Sequence, residues 1–406
     1  MVLGLKRKRP KNTDLDTLLY VLKGRIQPVA VCLSNSWGGL EQIAAIDSVD
    51  LARLDIPYQV MVIEGSPIHE YLSKFPEVGL ISLPFQPRNV LDFKLRLELK
   101  RLVRAGNNLF HVHQTSILSS IVPWLWNERH LVIMASRHIL NSHNKKGPIH
   151  RWIYRRLDAF VVMSEKMKRN ALSTHALKEK QVRMIPYGID FEKFDPEMVR
   201  AEYEREKWGI PQDSIVIGLV GRIDPAKGQA TFIRAAAGLM KGRATALRDK
   251  IRFVIVGEET RGSSENYLAE LKKMVKDFHL EDCVVFAGFQ ENIPEVMKAF
   301  DIFVMPSRQE AFGLVALEAM AMQTPVVISD GGSADEIVGD SEYGLLVRPE
   351  DAFDLQSKVK LLIENEELRV KMGEKARRHV LAHYDRRERI RRTLELYEWC
   401  LRKRGQ

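Results

Sequence analysis

The chain has 406 residues, a formal net charge of +9, 45% hydrophobic residues and 28% charged residues. This balance excludes an intrinsically disordered chain and a polytopic membrane protein, and the length favours about two or three domains. Asp14 and Asp16 follow the basic start Lys6–Arg9, where a signal peptide would be apolar. With three widely spaced cysteines, these features predict a cytoplasmic protein without a disulfide framework.

Charge is divided unevenly along the chain. Residues 1–190 contain 28 Lys and Arg against 16 Asp and Glu. Residues 191–385 carry a net charge of −8, and residues 386–406 carry +5. The basic first half indicates an anionic partner, such as a membrane surface, nucleic acid or an acidic substrate. A solvated basic surface without a specific partner is the alternative.

Short runs rich in β-branched residues recur along the chain with helical stretches between them. In the first half they predict strands at Val29–Leu33, Tyr58–Ile63, Gly79–Leu83, Leu109–Val112, His130–Met134, Ala159–Met163 and Val182–Ile185. In the second half they predict strands at Ile215–Val220, Ile251–Val256, Val284–Ala287, Ile302–Met305, Pro325–Ile328 and Gly344–Val347. The alternation appears on both sides of a loop-rich break and predicts an α/β fold with two doubly wound parallel sheets.

Two helical regions add to this pattern. Val90–Ala105 places Leu91, Leu95, Leu99 and Leu102 on one helix face and basic residues elsewhere. Packing of this face against a sheet is favoured, and contact with a membrane surface stays open. The tail Leu361–Arg404 is almost entirely helical, with breaks expected at Asn365 and at Tyr384–Asp385.

Two cations follow the first strand of the second half. Ile215–Val220 runs into the loop Gly221–Gly228, which contains Arg222 and Lys227. Ligands of α/β folds bind at the carboxyl ends of strands. Neither a Gly-x-Gly-x-x-Gly nor a Walker A pattern is present, so cationic side chains would have to neutralise a bound phosphate. Two surface cations in an ordinary loop are an equally weighted interpretation.

The sharpest motif lies between Met305 and Met320. A predicted strand ends at Met305, and a loop with Glu310 leads to Gly313, which opens a helix. The backbone N–H groups of Phe312, Gly313 and Leu314 would form a site for a diphosphate at the helix start. Glu310 and Glu318 lie on either side of that start, where each can accept hydrogen bonds from sugar hydroxyls.

The order of these motifs resembles a known family. Gly-Arg-x4-Lys-Gly at 221–228 is followed by Ile255-Val-Gly257, Val285–Phe289 and Glu310-x7-Glu318. From about Gly38 to Tyr384 the chain resembles the retaining glycosyltransferases of family 4, also called glycosyl transferases group 1. The resemblance implies the GT-B architecture, with two facing Rossmann-like doubly wound domains and the active site between them.

The resemblance also implies domain boundaries and residue roles. Residues 1–188 would form the acceptor-side domain and 189–384 the nucleotide-sugar domain, with the helix 385–406 packing back on the first. Arg222 and Lys227 would hold the donor diphosphate, Glu318 the ribose and Glu310 the donor sugar. The backbone near Phe289 would meet the nucleobase.

Three elements of the first half resemble the family more weakly. Gly38 and Gly39 follow the first strand, as does the family's glycine loop near the donor phosphate. His138 stands where the family has a histidine beside the donor sugar, although Ser-Arg precedes it here instead of Thr-x. The segment Ile185–Asp190 resembles the interdomain turn.

By this resemblance the protein transfers a sugar from a nucleoside diphosphate to an acceptor hydroxyl with retention and without a covalent intermediate. The pairs His111/His113 and His379/His383 lack companion ligands, so we expect neither a metal nor another cofactor. The expected partners are a nucleotide sugar, a glycan or glycolipid acceptor of lipopolysaccharide or lipid-linked type, and an anionic membrane surface at the inner face. No nucleic-acid-binding motif is present.

Two other classes stay open. The first is a sugar-nucleotide epimerase or another enzyme of the same fold that works without a glycan acceptor. The second is a non-catalytic basic protein that binds membrane or nucleic acid. An epimerase would turn over its donor alone, and a binding protein would keep its salt-sensitive binding after Glu310 and Lys227 are replaced.

Overall fold

The computed structural model describes residues 14–87, 92–242, 250–259, 266–339 and 341–405. The basic segment Lys6–Lys11 and the predicted helix residues Val90 and Leu91 lie outside these ranges. The chain divides into two compact units, each built around one parallel sheet. The first unit comprises residues 1–163, 168–185 and 387–406, and the second comprises 164–167 and 186–386.

The first unit contains a seven-stranded sheet in the order β3-β2-β1-β4-β5-β6-β7, with every neighbouring pair parallel. Its strands are β1 (Pro28–Val31), β2 (Gln59–Ile63), β3 (Gly79–Leu83), β4 (Leu109–Val112), β5 (Val132–Ser136), β6 (Ala159–Val162) and β7 (Val182–Met184). Its helices are α1 (Leu15–Leu22), α2 (Gly39–Ala52), α3 (Pro67–Leu72), α4 (Phe93–Arg104), α5 (Leu118–Leu125), α6 (Pro148–Arg156) and most of α7 (Glu165–Thr174).

The second unit contains a six-stranded parallel sheet in the order β10-β9-β8-β11-β12-β13. Its strands are β8 (Ile215–Val220), β9 (Ile251–Val256), β10 (Val284–Gly288), β11 (Ile302–Met305), β12 (Val326–Ser329) and β13 (Leu345–Val347). Its helices are α8 (Glu202–Lys207), α9 (Gln229–Met240), α10 (Tyr267–Asp277), α11 (Ile293–Lys298), α12 (Leu314–Ala321), α13 (Ala334–Val338), α14 (Ala352–Glu364) and α15 (Glu366–His383). The predicted pair of doubly wound parallel sheets is confirmed.

Most strand predictions hold to within a residue or two, but β5 is displaced. The prediction placed it at His130–Met134, whereas the strand begins at Val132 and continues to Ser136. Leu131 instead belongs to the turn that follows α5, because its N–H donates to the carbonyl of Glu128 at 3.1 Å. The strand ends later because Ser136 still pairs with β6.

The last helix, α16 (Arg386–Lys403), packs on the first unit. Ile390, Leu394, Tyr397 and Leu401 recur at helical spacing and are buried in the same core as β1 and β2. Helix α4 is likewise covered on one side only, with Leu95, Leu99 and Leu102 buried, which confirms the predicted core-facing stripe. Among the described residues, no helix combines the length and apolar character that a membrane crossing requires.

A buried ion pair fixes α16 to α2. Arg389 donates to both carboxylate oxygens of Asp47, at 2.8 and 2.5 Å, and also to the carbonyl of Ile185 at 3.1 Å. The side chains of Arg389 and Asp47 are 4% and 6% exposed. Such a bidentate pair holds the helix in one register, because either charge without its partner would be buried uncompensated.

We therefore expect Arg389→Met to destabilise the first unit by about 3 kcal/mol or more, since it leaves the Asp47 carboxylate buried without a counter-charge. Arg392→Met is the matched control on the same helix. Arg392 is 41% exposed and pairs with Glu388, so its loss should cost under about 1 kcal/mol. Urea unfolding followed by tryptophan fluorescence measures this, because five of the six tryptophans lie in the first unit. Equal losses in both variants would contradict the account.

Candidate functional site

The order of strands in the second sheet places two loops at one crevice. From β8 the chain moves outward to β9 and β10, and then returns to β11 on the other side of β8. The loops that leave β8 and β11 therefore separate at the carboxyl edge of the sheet, where ligands of doubly wound folds bind. The first loop carries Arg222 and Lys227, and the second carries Glu310.

Lys227 and Glu310 meet at this crevice. The ammonium group of Lys227 donates to Oε2 of Glu310 at 2.7 Å, and the two side chains are 29% and 21% exposed. The sequence placed both residues near a ligand but did not predict their direct contact. The pair is partly shielded, so its attraction exceeds that of a surface pair, yet both heads remain accessible to a ligand.

A close approach of the two loops sets this contact. Gly228 ends the first loop at φ +79°, and a Cβ atom there would lie 2.1 Å from the carbonyl oxygen of Pro306. The N–H of Arg308 donates to the carbonyl of Ala226 at 2.9 Å. Only glycine allows both the left-handed backbone and this approach, so Gly228 positions Lys227 opposite Glu310.

The loop that follows β12 contacts the backbone of Glu310. A Cβ atom on Gly332 would lie 1.6 Å from the carbonyl oxygen of Glu310, and the N–H of Ser333 donates to that oxygen at 3.1 Å. Gly331 makes a similar approach to the carbonyl of Arg308. These two glycines were not among the predicted site residues, although their position shortly after a predicted strand was a signal for a close backbone approach.

The start of α12 lies in the same loop. Gly313 is its N-cap residue at φ +94°, and no side chain among the described residues caps the first turn. This leaves the positive end of the helix dipole without a side-chain acceptor at Leu314. Phe312 has a structural role, because its ring is 3% exposed and packs edge-on against Tyr187, with 4.9 Å between ring centroids.

Glu318 lies one turn into α12 and is half-buried. No described residue donates a hydrogen bond to its carboxylate. Burial raises its pKa to about 7, and the nearby Lys193 lowers it only in part. A desolvated acceptor without a partner is suited to a ligand hydroxyl, because a ligand would satisfy a group that the protein leaves unpaired. Lys193 was not among the predicted site residues.

Arg222 and Phe289 lie at the same edge of the sheet but apart from the ion pair. Arg222 is 44% exposed at its side chain, with its guanidinium 3.9 Å from Asp224. Phe289 follows β10 directly and is 54% exposed. Among the described residues, neither forms an ion pair or hydrogen bond with Lys227 or Glu310. Arg222 follows β8 and Phe289 follows β10, with β9 between these two strands, and both side chains are exposed to a ligand at that edge.

The glycine loop of the first unit follows β1. The N–H of Gly38 donates to Oε2 of Glu41 at 2.9 Å, which closes the start of α2. A Cβ atom on Gly39 would meet nothing within 4 Å, and neither glycine adopts a positive φ. Packing within the unit therefore gives no reason for glycine at Gly39. Space for a ligand near the backbone stays a prediction.

His138 belongs to a stack of three buried histidines. Its ring lies 5.7 Å from that of His113, which in turn lies 4.4 Å from that of His111, all centroid to centroid. The three side chains are 6%, 1% and 4% exposed. A histidine without a specific role in a loop is usually exposed to solvent, whereas His138 is buried.

The stack is kept uncharged by its surroundings. Burial lowers the pKa of His113 to about 4 and lowers those of His111 and His138 well below the usual value. His111 bonds Tyr397 of α16 at 3.0 Å and Ser136 at 2.7 Å. From the sequence, His111 and His113 stood out only as a pair without companion metal ligands. Their link to His138 and α16 depends on contacts between distant segments.

Comparisons with known proteins identify the family of the chain. The family model described as Glycosyltransferase Family 4 matches residues 37–193, and the one described as Glycosyl transferases group 1 matches residues 201–379. Together the two models extend over both units. The chain belongs to the family 4 glycosyltransferases.

Two curated relatives are D-inositol 3-phosphate glycosyltransferases. The protein from Corynebacterium jeikeium is 30% identical over 64% of this chain and 62% of its own length. The protein from Corynebacterium kroppenstedtii is 28% identical over 76% of this chain and 70% of its own length. The match to the first relative therefore spans less than two thirds of that protein.

Solved structures share the fold of this chain. A glycosyltransferase from Rickettsia africae superposes with a TM-score of 0.81 at 20% identity, covering 93% of this chain and 98% of that one. The Anabaena protein HepE, in complex with UDP and glucose, superposes with a TM-score of 0.77 at 19% identity, covering 92% and 99%. At these identities the likeness establishes the architecture.

The raised pKa of Glu318 predicts a pH dependence of stability. Between about pH 4.5 and pH 7, Glu318 is protonated in the folded protein and ionised in the unfolded chain. Its contribution to the free energy of unfolding is therefore full below about pH 4.5 and is lost as pH rises through about 7. Wild type should therefore lose up to about 3 kcal/mol relative to Glu318→Gln between pH 4.5 and pH 8.

Denaturant unfolding of both proteins at several pH values measures this difference, and shared titrations of other groups cancel in the comparison. Glu367→Gln is the matched control, because Glu367 is an exposed glutamate of α15 with its side chain 78% exposed. A wild-type curve parallel to that of Glu318→Gln would show that the carboxyl has an ordinary pKa.

Proposed function

We propose that this glycosyltransferase moves a sugar from a nucleoside diphosphate sugar to an acceptor hydroxyl. The observation that carries the proposal is the Lys227–Glu310 pair beside the uncapped start of α12, at the crevice of the second sheet. A cation next to a helix start suits a diphosphate, and an adjacent carboxylate suits sugar hydroxyls. The names of relatives, including a mannosylfructose-phosphate synthase from Agrobacterium fabrum, support sugar transfer.

The residues would divide the donor between them. Lys227 and Arg222 would bind the diphosphate together with the backbone at Gly313 and Leu314. Glu318 would accept hydrogen bonds from the ribose, and the nucleobase would meet the backbone near the exposed Phe289. The structure of HepE with UDP-glucose supports a uridine donor as the first to test.

Stabilisation of the leaving diphosphate is the main chemical task. Negative charge grows on the diphosphate as the bond to the sugar breaks, and fixed donors at that position stabilise the transition state more than the ground state. Lys227, Arg222 and the start of α12 supply positive charge from protein groups alone, so the reaction would need no metal. Glu310 would position the sugar, with retention of configuration and no covalent intermediate.

The acceptor would be a lipid-linked or lipopolysaccharide-type glycan at the inner face of a membrane. The uneven charge of the chain supports this choice of acceptor, because residues 1–190 carry an excess of basic residues. A glycan bearing phosphate or carboxylate groups, or one held at an anionic bilayer, would be attracted to such a surface. His138 would contribute a neutral imidazole beside the donor sugar, since burial holds its pKa well below the usual value.

A thermal-shift panel tests the donor site. We expect one nucleoside diphosphate among UDP, GDP and ADP to stabilise the wild type by about 2.7 kcal/mol at roughly 100 times its dissociation constant. Lys227→Ala and Glu318→Gln should reduce this stabilisation because they remove a diphosphate contact and a ribose contact. Lys241→Ala, which replaces an exposed lysine of the same unit, should retain it. No stabilisation by any diphosphate would contradict the donor assignment.

Turnover with the selected donor tests the chemistry. Transfer to an added glycan acceptor should continue at an unchanged rate in EDTA, because the charge on the diphosphate is balanced by side chains. Proton NMR of the product should show the anomeric configuration of the donor. Loss of transfer in EDTA with recovery on adding magnesium would contradict metal independence, and isomerised donor without an acceptor would indicate an epimerase.

A further inference from the structure

Helices α4, α5 and α6 form one outer side of the first unit. Helix α4 packs against α5, and α5 packs against α6. Six large apolar side chains lie on these helices and at the end of α5, four of them exposed and the two tryptophans of α5 half-buried. They are Phe93, Leu97, Trp124, Trp126, Ile149 and Trp152, and we call this surface the α4–α6 face.

Ring contacts link α5 to both neighbouring helices. Phe93 of α4 lies 5.7 Å from Trp124, centroid to centroid, and Trp126 stacks on Trp152 of α6 at 4.5 Å. Trp124 and Trp126 lie two residues apart at the end of α5 and therefore reach different neighbours. Apolar side chains of all three helices thus contribute to the α4–α6 face.

Three of its apolar side chains are largely exposed. Leu97, Ile149 and Phe93 are 70%, 71% and 62% exposed, although each is large enough to stabilise a core if buried. Leu97 also lines a groove of about 560 Å³ beside the edge strand β3, together with Leu83 and Phe85. Contiguous exposed apolar surface on a globular unit marks an interaction site.

Cations are interleaved with these rings. The guanidinium of Arg96 lies 4.8 Å from the ring centroid of Trp124, and that of Arg129 lies 5.7 Å from Trp126. Helix α6 adds the exposed Arg151 and Arg155 and contains no acidic residue. The occupant of this face must therefore present both negative charge and apolar surface.

We propose that the α4–α6 face docks the protein on a bilayer rich in anionic phospholipid. Aromatic and aliphatic side chains would enter the headgroup region, while the arginines keep their charged heads at the lipid phosphates. Nucleic acid would satisfy the cations but would leave Leu97 and Ile149 exposed, because phosphate contacts need no aliphatic side chain. The inference deepens the proposed function, since it rests on an acceptor held in a membrane.

Sedimentation of the full-length protein with lipid vesicles tests the proposal. The wild type should bind vesicles of mixed phosphatidylcholine and phosphatidylglycerol and should not bind phosphatidylcholine alone. Leu97→Ser with Ile149→Ser removes apolar insertion, and Arg151→Glu with Arg155→Glu reverses charge. Each double variant should lower the partition coefficient at least about tenfold.

Matched controls lie on the second unit. Phe353→Ser with Val370→Ser replaces apolar side chains that are 74% and 54% exposed, and Lys272→Glu with Lys273→Glu reverses two exposed charges. Both control variants should bind vesicles as the wild type does. Thermal melting with the stabilising nucleoside diphosphate verifies that every variant is folded with its second unit intact, and it reports on the donor site separately from vesicle binding.

Three outcomes would overturn the proposal. Absent or charge-independent binding of the wild type would exclude an anionic bilayer as the occupant. Binding to single-stranded RNA that survives both serine substitutions would assign the face to nucleic acid. A dimer of the wild type in gel filtration that is lost in Leu97→Ser with Ile149→Ser would assign it to a second copy of this chain. In each case the thermal-shift result would still decide the proposed donor site.

Discussion

Parallel strand direction is the constraint on which the rest of the structure depends. All strand pairs in both sheets are parallel, so the carboxyl ends of neighbouring strands share one edge. Residues as distant in the chain as Lys227 and Glu310 can then meet only if their strands are adjacent, as β8 and β11 are. The sheet order thus converts two separate loop motifs into one charged crevice.

Glycine backbones turn that proximity into a defined geometry. Gly228 lets the loop after β8 touch the loop after β11, and Gly332 lets the loop after β12 touch Glu310. Three loops are therefore held against one another by backbone contacts, which are less adaptable than side-chain contacts. The opposed charges of Lys227 and Glu310 are presented by this framework, and a diphosphate would compete with the carboxylate for the ammonium group.

Much of the fold was accessible from the sequence because its signals are local. The β-branched runs give the strands, and Asn365 ends one helix of the tail and caps the next. The loop at 221–228 and the motif at 305–320 could be placed because each follows the end of a strand. Local pattern was therefore sufficient to predict where the candidate site residues lie along the sheet edge.

Contacts between distant segments could not be predicted from the sequence. Nothing in the residues near His111 indicates a bond to Tyr397, which lies on α16 and reaches the stack only because Arg389 and the apolar side of α16 dock on the first unit. The direct Lys227–Glu310 contact and the raised pKa of Glu318 likewise depend on burial by other elements. These features follow from packing, which pattern alone does not encode.

The central claim is that Lys227 holds the donor diphosphate and that Glu310 accepts the hydrogen bond of the Lys227 ammonium group when no donor is bound. Calorimetric dissociation constants of the best nucleoside diphosphate for wild type, Lys227→Ala, Glu310→Gln and the double variant test it most directly. The account predicts that Lys227→Ala raises the dissociation constant at least about tenfold, since a charge-assisted contact is lost. It predicts an unchanged or lower dissociation constant for Glu310→Gln. Wild-type affinity in Lys227→Ala would contradict the account.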